Sequence, residues 1–190
     1  GGITDEASFR QHLLDQGNSD FLIQGFRIDG DRIRCRLYSE GASSLNNFYF
    51  SGFGITAINK LTIDYPVGTE IVLDGTFTEF NQPIDNVILL QLNGNLDEFN
   101  LNFNFPASLY QLDLSRNNLN SLESINENAT GVYVLFLQNN QITTATWESL
   151  NDWALIALED GELDASGNVD SIEGTTTETT LLAKNWTIIT

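Results

Sequence analysis

Residues 109–119 read LYQLDLSRNNL, which is the pattern L-x-x-L-x-L-x-x-N-x-L. The same pattern returns 23 residues later in residues 132–142 (VYVLFLQNNQI). It appears without its last position 22 residues earlier in residues 87–95 (VILLQLNGN). Aliphatics that recur in this way indicate short strands that stack on one another, each followed by a turn. We expect the aliphatics to point inward and backbone groups in the turns to be satisfied by Asn95, Asn117 and Asn140.

The next connection along the chain has a helical pattern. Residues 145–158 carry apolar side chains at helical spacing, namely Trp147, Leu150, Ala154 and Ala157. We therefore predict a helix here that ends at Gly161, because glycine is the usual residue just past a helix end.

The end of the chain returns to the strand pattern. Residues 163–168 (LDASGN) restore a strand and its asparagine, whereas a competing register over residues 156–161 would break the predicted helix. The tail, residues 180–190, predicts a short helix and a closing strand. In that strand Trp186 and Ile188 take the inward positions, and Trp186 seals the end of the core.

The first half of the chain shows a different pattern. Thr4 is placed to cap a helix over residues 5–16, which Gly17 ends. Apolar alternation then runs on both sides of an Asp29-Gly30 turn, a strong hairpin signal. Further strand-like stretches cover residues 48–55, 61–65 and 70–77. We predict an antiparallel β-unit of about five strands, with a junction at residues 81–83.

Arginines alternate with apolar residues along the second strand of that hairpin. Arg32, Arg34 and Arg36 share one strand face because side chains alternate, and Arg27 joins them from the first strand. Two interpretations stand: the arginines pair with nearby acids, or they form a docking face for an acidic partner such as another copy of the chain. Cys35 is the single cysteine, which excludes an internal disulfide.

The net charge of −18 narrows the classes of partner. Residues 1–84 hold 11 acids and six bases, whereas residues 85–190 hold 15 acids and two bases, a net charge of −13. Nucleic-acid binding needs a basic footprint, so we exclude it. A membrane span needs about 18 consecutive apolar residues, and none exists. The acidic half suits solubility, which is the simplest interpretation, or a basic partner or divalent cations.

The second half resembles the short leucine-rich-repeat domains of Bacteroidetes-type surface proteins and of their phages. Residues 182–188 (LAKNWTI) look like the closing L-x-x-K-G-W-T-[VI] segment of that family, and residues 163–167 (LDASG) look like its preceding L-D-L-S-G strand. Asn185 replaces the usual glycine, and asparagine also tolerates a left-handed turn. Ala165 replaces leucine, which thins the core. The resemblance implies a binding or adhesion domain.

These patterns predict an α+β protein of two domains. Residues 1–84 form a helix and an antiparallel β-unit that docks, and residues 85–190 form a leucine-rich-repeat solenoid with a parallel sheet. We expect ligands to contact the outward strand positions and their neighbours, namely Gln91, Asn93, Asp113, Ser115, Arg116, Phe136, Gln138, Asn139, Asp164 and Ser166. One aromatic among amides and carboxylates suits a cell-surface glycan or a polar protein partner.

Catalytic motifs are missing from the sequence. It has no G-x-S-x-G, Walker loop or H-E-x-x-H, and its single histidine and single cysteine exclude clusters of those ligands. We predict no cofactor and no metal. An acidic loop has the oxygen ligands that Ca²⁺ prefers, although a solvated loop is the simpler interpretation; its residues are Asp160, Glu162, Asp164, Asn168 and Asp170.

Three functional hypotheses follow. The first is a non-enzymatic virion component of a phage, in its tail or on its capsid surface, that recognises a host or partner. It fits the arginine-lined strand and an N-terminus, Gly1-Gly2, without signal-peptide character. The second is a bacterial surface adhesin secreted as part of a longer chain. The third is a glycan hydrolase that uses two of the many carboxylates.

Overall fold

A computed structural model of the chain describes residues 4–15, 21–29, 32–39, 69–74, 84–99, 105–125 and 129–190. These residues form a mixed α/β structure. Its helices are α1 (Glu6–Asp15), α2 (Thr144–Ser149), α3 (Asn151–Ile156) and α4 (Thr176–Ala183), with a 3-10 turn at Glu123–Ile125. Its strands are β1 (Phe21–Asp29), β2 (Arg32–Ser39), β3 (Thr69–Asp74), β4 (Val87–Asn93), β5 (Gln111–Asp113), β6 (Val134–Phe136), β7 (Glu162–Asp164) and β8 (Thr187–Ile189).

Six of these strands form one parallel sheet in the order β3-β4-β5-β6-β7-β8. One aliphatic from each strand pairs in register with the next, and together they make an inner row: Ile71, Leu90, Leu112, Leu135, Leu163 and Ile188. The first five of these side chains are at most 1% exposed, and Ile188 packs against the same core. The predicted inward aliphatics and the preferred register over residues 163–168 are therefore confirmed.

Buried asparagines hold the turns that follow the strands. Asn117 Oδ1 accepts hydrogen bonds from the backbone N–H groups of Gly94 (2.9 Å) and Leu96 (3.1 Å). Its Nδ2 donates to the carbonyls of Leu92 and Leu114, both at 2.8 Å. Asn140 and Asn168 repeat this arrangement one and two turns further along. Each asparagine thus joins two successive turns through their backbones.

The predicted first member of this asparagine ladder is wrong. Asn95 is exposed, and the N–H groups of its neighbours Gly94 and Leu96 donate to Asn117. The ladder consists of Asn117, Asn140 and Asn168.

The first half of the chain departs from its prediction at β3. This strand was expected in the antiparallel unit, but it pairs in parallel with β4, from Thr69 with Val87 to Asp74 with Asn93. The sheet therefore continues across the predicted boundary between residues 84 and 85. The hairpin itself is confirmed, since β1 and β2 pair antiparallel up to Asp29 opposite Arg32. The strands expected over residues 48–55 and 61–65 and the junction at residues 81–83 lie outside the described residues.

The N-terminal helix is present but its cap differs. Asp5, and not Thr4, accepts the hydrogen bond from the Ser8 N–H (2.8 Å), while Ser8 Oγ accepts from the N–H of Asp5 (3.0 Å). The hydrogen bonds that the Ser8 backbone and side chain make with the Asp5 carboxyl hold its pKa below the ordinary value. Phe9 is the side chain that anchors α1, since it is buried and packs on Phe26 at 5.5 Å between ring centroids.

The predicted connecting helix is divided in two. Helices α2 and α3 meet at Leu150, which is buried and keeps a right-handed helical conformation. Helix α3 ends at Ile156, earlier than predicted, because Ala157 is extended. Gly161 instead makes room for Trp186, whose ring would lie 2.3 Å from a Cβ at that position. No helix within the described ranges combines the length and the apolar character needed to cross a bilayer.

Trp186 closes the end of the core as predicted. It is 3% exposed, meets Trp153 edge to face at 5.3 Å, and donates its indole N–H to the carbonyl of Leu158 (2.6 Å). The turn before it passes through Asn185 at φ +62°, so asparagine does fill the left-handed position. Helix α4 begins earlier than predicted, at Thr176, since the cap residue Thr175 accepts a hydrogen bond from the Glu178 N–H through its Oγ1.

The asparagine ladder predicts a large difference between two neighbouring substitutions. Asn117→Ala leaves buried backbone groups on two turns without partners, which should lower the free energy of unfolding by about 2–4 kcal/mol. Asn118→Ala changes an exposed side chain in the same turn and should change it by less than about 0.5 kcal/mol. Urea denaturation of both variants measures the difference, and equal stabilities would contradict the role of the ladder.

Candidate recognition face

The sheet turns a second row of side chains away from the inner row. Its members pair in register across the strands, and we call them the outer row: Val72, Gln91, Asp113, Phe136, Asp164 and Ile189. Phe136 is partly buried and stands between two aspartates, with neighbouring strands about 4.8 Å apart. The outer row thus places one aromatic ring between two carboxylates.

The parallel pairing continues two residues beyond the short strands. The N–H of Leu114 donates to the carbonyl of Phe136, and the N–H of Arg116 donates to the carbonyl of Gln138, both at 2.9 Å. This extension creates a further row on the same side of the sheet, the distal row: Asn93, Ser115, Gln138 and Ser166. Every candidate ligand contact except Arg116 and Asn139 therefore belongs to one of the two rows.

Three of the candidate contacts are withdrawn from solvent. Asn93, Asp113 and Ser115 are only 3%, 9% and 2% exposed, so the expectation that they stand outward and free is wrong. The cause is mutual hydrogen bonding. Asn93 Nδ2 donates to Asp113 Oδ1 (3.2 Å) and to the carbonyl of Ser115 (2.8 Å), and Asn93 Oδ1 accepts from Gln91 Nε2. These polar groups tie β4 to β5 across the face.

Each aspartate of the outer row is fixed by the serine two residues later. Asp113 Oδ1 accepts from the N–H (2.9 Å) and the hydroxyl (2.6 Å) of Ser115. Asp164 Oδ1 accepts in the same way from Ser166, at 3.1 and 2.7 Å. The repeated Asp-x-Ser spacing therefore holds one carboxylate oxygen in place. No described residue donates a hydrogen bond to the other oxygen, Oδ2, of either aspartate.

Gln138 carries an unusual polar atom. It is partly buried beyond Phe136 on the same chain segment, and its Oε1 is buried without a hydrogen-bond partner. Leaving a buried acceptor unpaired costs about 1–3 kcal/mol. The unpaired Oε1 of Gln138 therefore carries this cost. It is an acceptor to which no described residue donates.

Arg116 and Asn139 share a strained backbone conformation. Their φ angles are +59° and +58°, and the equivalent position of the next repeat is Gly167 at +67°. Both side chains are exposed beside the distal row. Asparagine tolerates a left-handed conformation, whereas it costs a residue such as arginine about 1–2 kcal/mol, so Arg116 stands where glycine would be more stable. The alignment with Gly167 was the sequence signal for this conformation.

A pair of tyrosines was missed by the sequence analysis. Tyr110 and Tyr133 each lie one residue before a strand, and their rings stack with centroids 5.5 Å apart and an interplanar angle of 27°. Tyr133 is 40% exposed, so the pair adds an aromatic edge where β5 and β6 begin. The signal was available, because the two residues occupy the same position of successive repeats.

The arginine docking face lies on the hairpin. Arg27 is exposed, and the strand register places it opposite Arg34, with Asp29 opposite Arg32 and Gln24 opposite Arg36. The side chains of the three β2 arginines lie outside the described residues, so their docking role stays a prediction. The side chains of Cys35 and His12 are likewise outside them.

The acidic loop considered for Ca²⁺ is tied into other contacts. Asp160 Oδ1 accepts from Asn185 Nδ2, and Asp170 Oδ2 accepts from the N–H of Thr144 (2.8 Å). Asn168 belongs to the asparagine ladder. Across the described ranges, no three side chains of the metal-binding types come together.

The strained position predicts that one substitution stabilises the chain. Arg116→Gly should raise the free energy of unfolding by about 1 kcal/mol, because glycine accepts the left-handed conformation. Arg116→Ala removes the same charge but keeps a Cβ, so it should give no such gain. Thermal denaturation of the two variants compares them. An equal effect of alanine and glycine would show that charge, and not backbone strain, governs this position.

A comparison of the chain with protein-family models, with curated proteins and with solved structures finds no match. The proposed function therefore rests on the sequence and on the geometry of the sheet.

Proposed function

We propose that the chain is a non-enzymatic recognition protein. In this proposal residues 85–190 form a leucine-rich-repeat solenoid, and its sheet presents the outer and distal rows to a partner. Two observations support the repeat assignment: the in-register inner row of aliphatics and the asparagine ladder that joins successive turns. Strand β3 extends the sheet at one end and would cap the stack.

The observation that carries the recognition role is Phe136 between Asp113 and Asp164. One aromatic and two acidic side chains occupy one row because the register is fixed by the buried leucines beneath them. Fixed geometry lowers the conformational entropy that binding must overcome. An aromatic side chain held in this way is the kind of group that anchors protein interfaces.

The hairpin supports a second part of the proposal, which is docking into a larger assembly. The register brings the positions of Arg27 and Arg34 opposite each other, and like charges opposed across strands are unfavourable without a counter-charge. An acidic partner supplies that counter-charge. Another copy of this chain qualifies, since its residues 85–190 carry a net charge of −13.

These two parts suit a phage virion component on the tail or capsid surface, with the hairpin docked and the repeat half outward. A secreted or surface-bound bacterial adhesin is the alternative, and it would use the same outer row for host protein or cell-surface glycan.

The location of the protein separates these two proposals. Mass spectrometry of density-purified particles and of envelope and secreted fractions from the source culture provides the measurement. We expect peptides of this chain in the particles, in constant ratio to capsid protein. Their recovery in the envelope or secreted fraction, with none in the particles, would favour the adhesin and contradict the virion assignment.

Charge reversal tests the docking hairpin. Replacing Arg32, Arg34 and Arg36 by glutamate should abolish oligomerisation or incorporation into particles, because the acidic partner would then be repelled. Replacing the same residues by glutamine should weaken assembly less, and a circular-dichroism melt checks that both variants fold. Assembly that stays unchanged in a folded triple-glutamate variant would remove the docking role.

A further inference from the structure

We propose that the outer row binds an arginine side chain of a basic partner protein. The guanidinium lies on the ring of Phe136 and donates hydrogen bonds to Asp164 beside it. This inference rests on the proposed recognition function and names the chemistry of its ligand.

The first argument is the placement of the groups around the ring. Asp113 and Asp164 are the register partners of Phe136 on its two neighbouring strands, each about 4.8 Å away along the sheet. Oδ1 of Asp164 is fixed by Ser166, which orients the carboxylate and leaves Oδ2 as the acceptor for a ligand, whereas the buried Asp113 is bonded to Asn93. A planar guanidinium stacks on an aromatic face and directs its N–H groups outward in its plane, toward acceptors beside the ring.

The second argument comes from Gln138. Its Oε1 is a buried acceptor without a partner, two residues beyond Phe136 on the same side of the sheet. The last torsion of a glutamine side chain has a broad energy profile, so in the proposal this oxygen turns toward a donor on the face. The group that satisfies it must donate, as Oδ2 of Asp164 also requires.

The third argument is the balance of donors and charge. Phe136, Asp164 and Gln138 offer a ring face and acceptors, which match the donors and the positive charge of arginine. The surrounding half of the chain has a net charge of −13, so it attracts a basic segment from a distance. A neutral sugar hydroxyl gains nothing from this charge. The observations therefore favour a basic protein over a glycan.

Lysine fits the same site less well. Its ammonium is a compact, strongly hydrated charge without the planar fork that lets arginine stack on the ring and donate to the carboxylate together. The proposal therefore predicts a preference between two equally charged side chains, which a purely electrostatic attraction would not produce.

The test uses three blocked tripeptides as probes: acetyl-Gly-Arg-Gly-amide, its lysine equivalent and its citrulline equivalent. Citrulline keeps the shape of arginine without the charge. Two-dimensional NMR of the full chain follows each titration. We expect arginine to shift the signals of Phe136, Gln138 and Asp164, to bind at least threefold more tightly than lysine and at least tenfold more tightly than citrulline, and to weaken with added salt.

Four variants assign the binding to the site. Phe136→Ala should weaken arginine binding at least fivefold and Asp164→Asn at least threefold. Asp152→Asn is the matched control, since it removes an exposed acid on α3 and should leave binding unchanged. Gln138→Met removes the unpaired acceptor, so it should weaken binding and raise the melting temperature together. If Phe136→Ala does not fold, arginine binding by Asp164→Asn and Gln138→Met still tests the site.

Different outcomes would contradict the arginine site and the proposed recognition function. Equal binding of arginine and citrulline, equal binding of arginine and lysine, or an equal loss in Asp164→Asn and Asp152→Asn would overturn the arginine site. If glycans shift the same signals and the arginine peptide does not, the arginine site is also overturned. The proposed recognition function would then remain. Probes of both kinds that bind only outside the outer and distal rows would remove the recognition function itself.

Discussion

The structure depends on the hydrogen bonds that Asn117, Asn140 and Asn168 make with backbone groups of successive turns. Strands of three residues offer few ladder bonds of their own, and the turns after them leave N–H and carbonyl groups inside the core. Those groups would be costly to bury unpaired. Each asparagine supplies both a donor and an acceptor, so one side chain satisfies two neighbouring turns. The leucines of the inner row can then pack without water between the turns.

The sequence repeat that aligns the inner row also determines which side chains lie on the opposite face of the sheet. Once Leu112, Leu135 and Leu163 are in register, the residues that follow them must be in register too. Asp113, Phe136 and Asp164 therefore form a row without any further interaction to position them. The arrangement of the outer row is thus a consequence of core packing, with the serines adding the orientation of each carboxylate.

The sequence was a good guide to the core and a poorer guide to the face. The repeated pattern in the sequence predicts the buried leucines, Asn117 and Asn140. It also predicts that Trp186 closes the end of the core. Strand β3 was misassigned because Ile71-x-Leu73 is not followed by the asparagine of the repeat pattern, since residue 76 is threonine. The burial of Asp113 and Ser115 depends on Asn93 in the preceding repeat, and a pattern within one repeat does not contain that contact. The unpaired oxygen of Gln138 depends on three-dimensional packing alone.

Native-state hydrogen exchange at the N–H groups of Leu96 and Leu119 tests the account most directly. Both amides lie in irregular turns, yet both donate to ladder asparagines, at 3.1 and 3.0 Å. If the ladder holds the stack together, these amides exchange only when the whole repeat half unfolds, as slowly as those of the strands. Exchange at the rate of an exposed loop, with the strand amides still protected, would contradict the central role given to the asparagines.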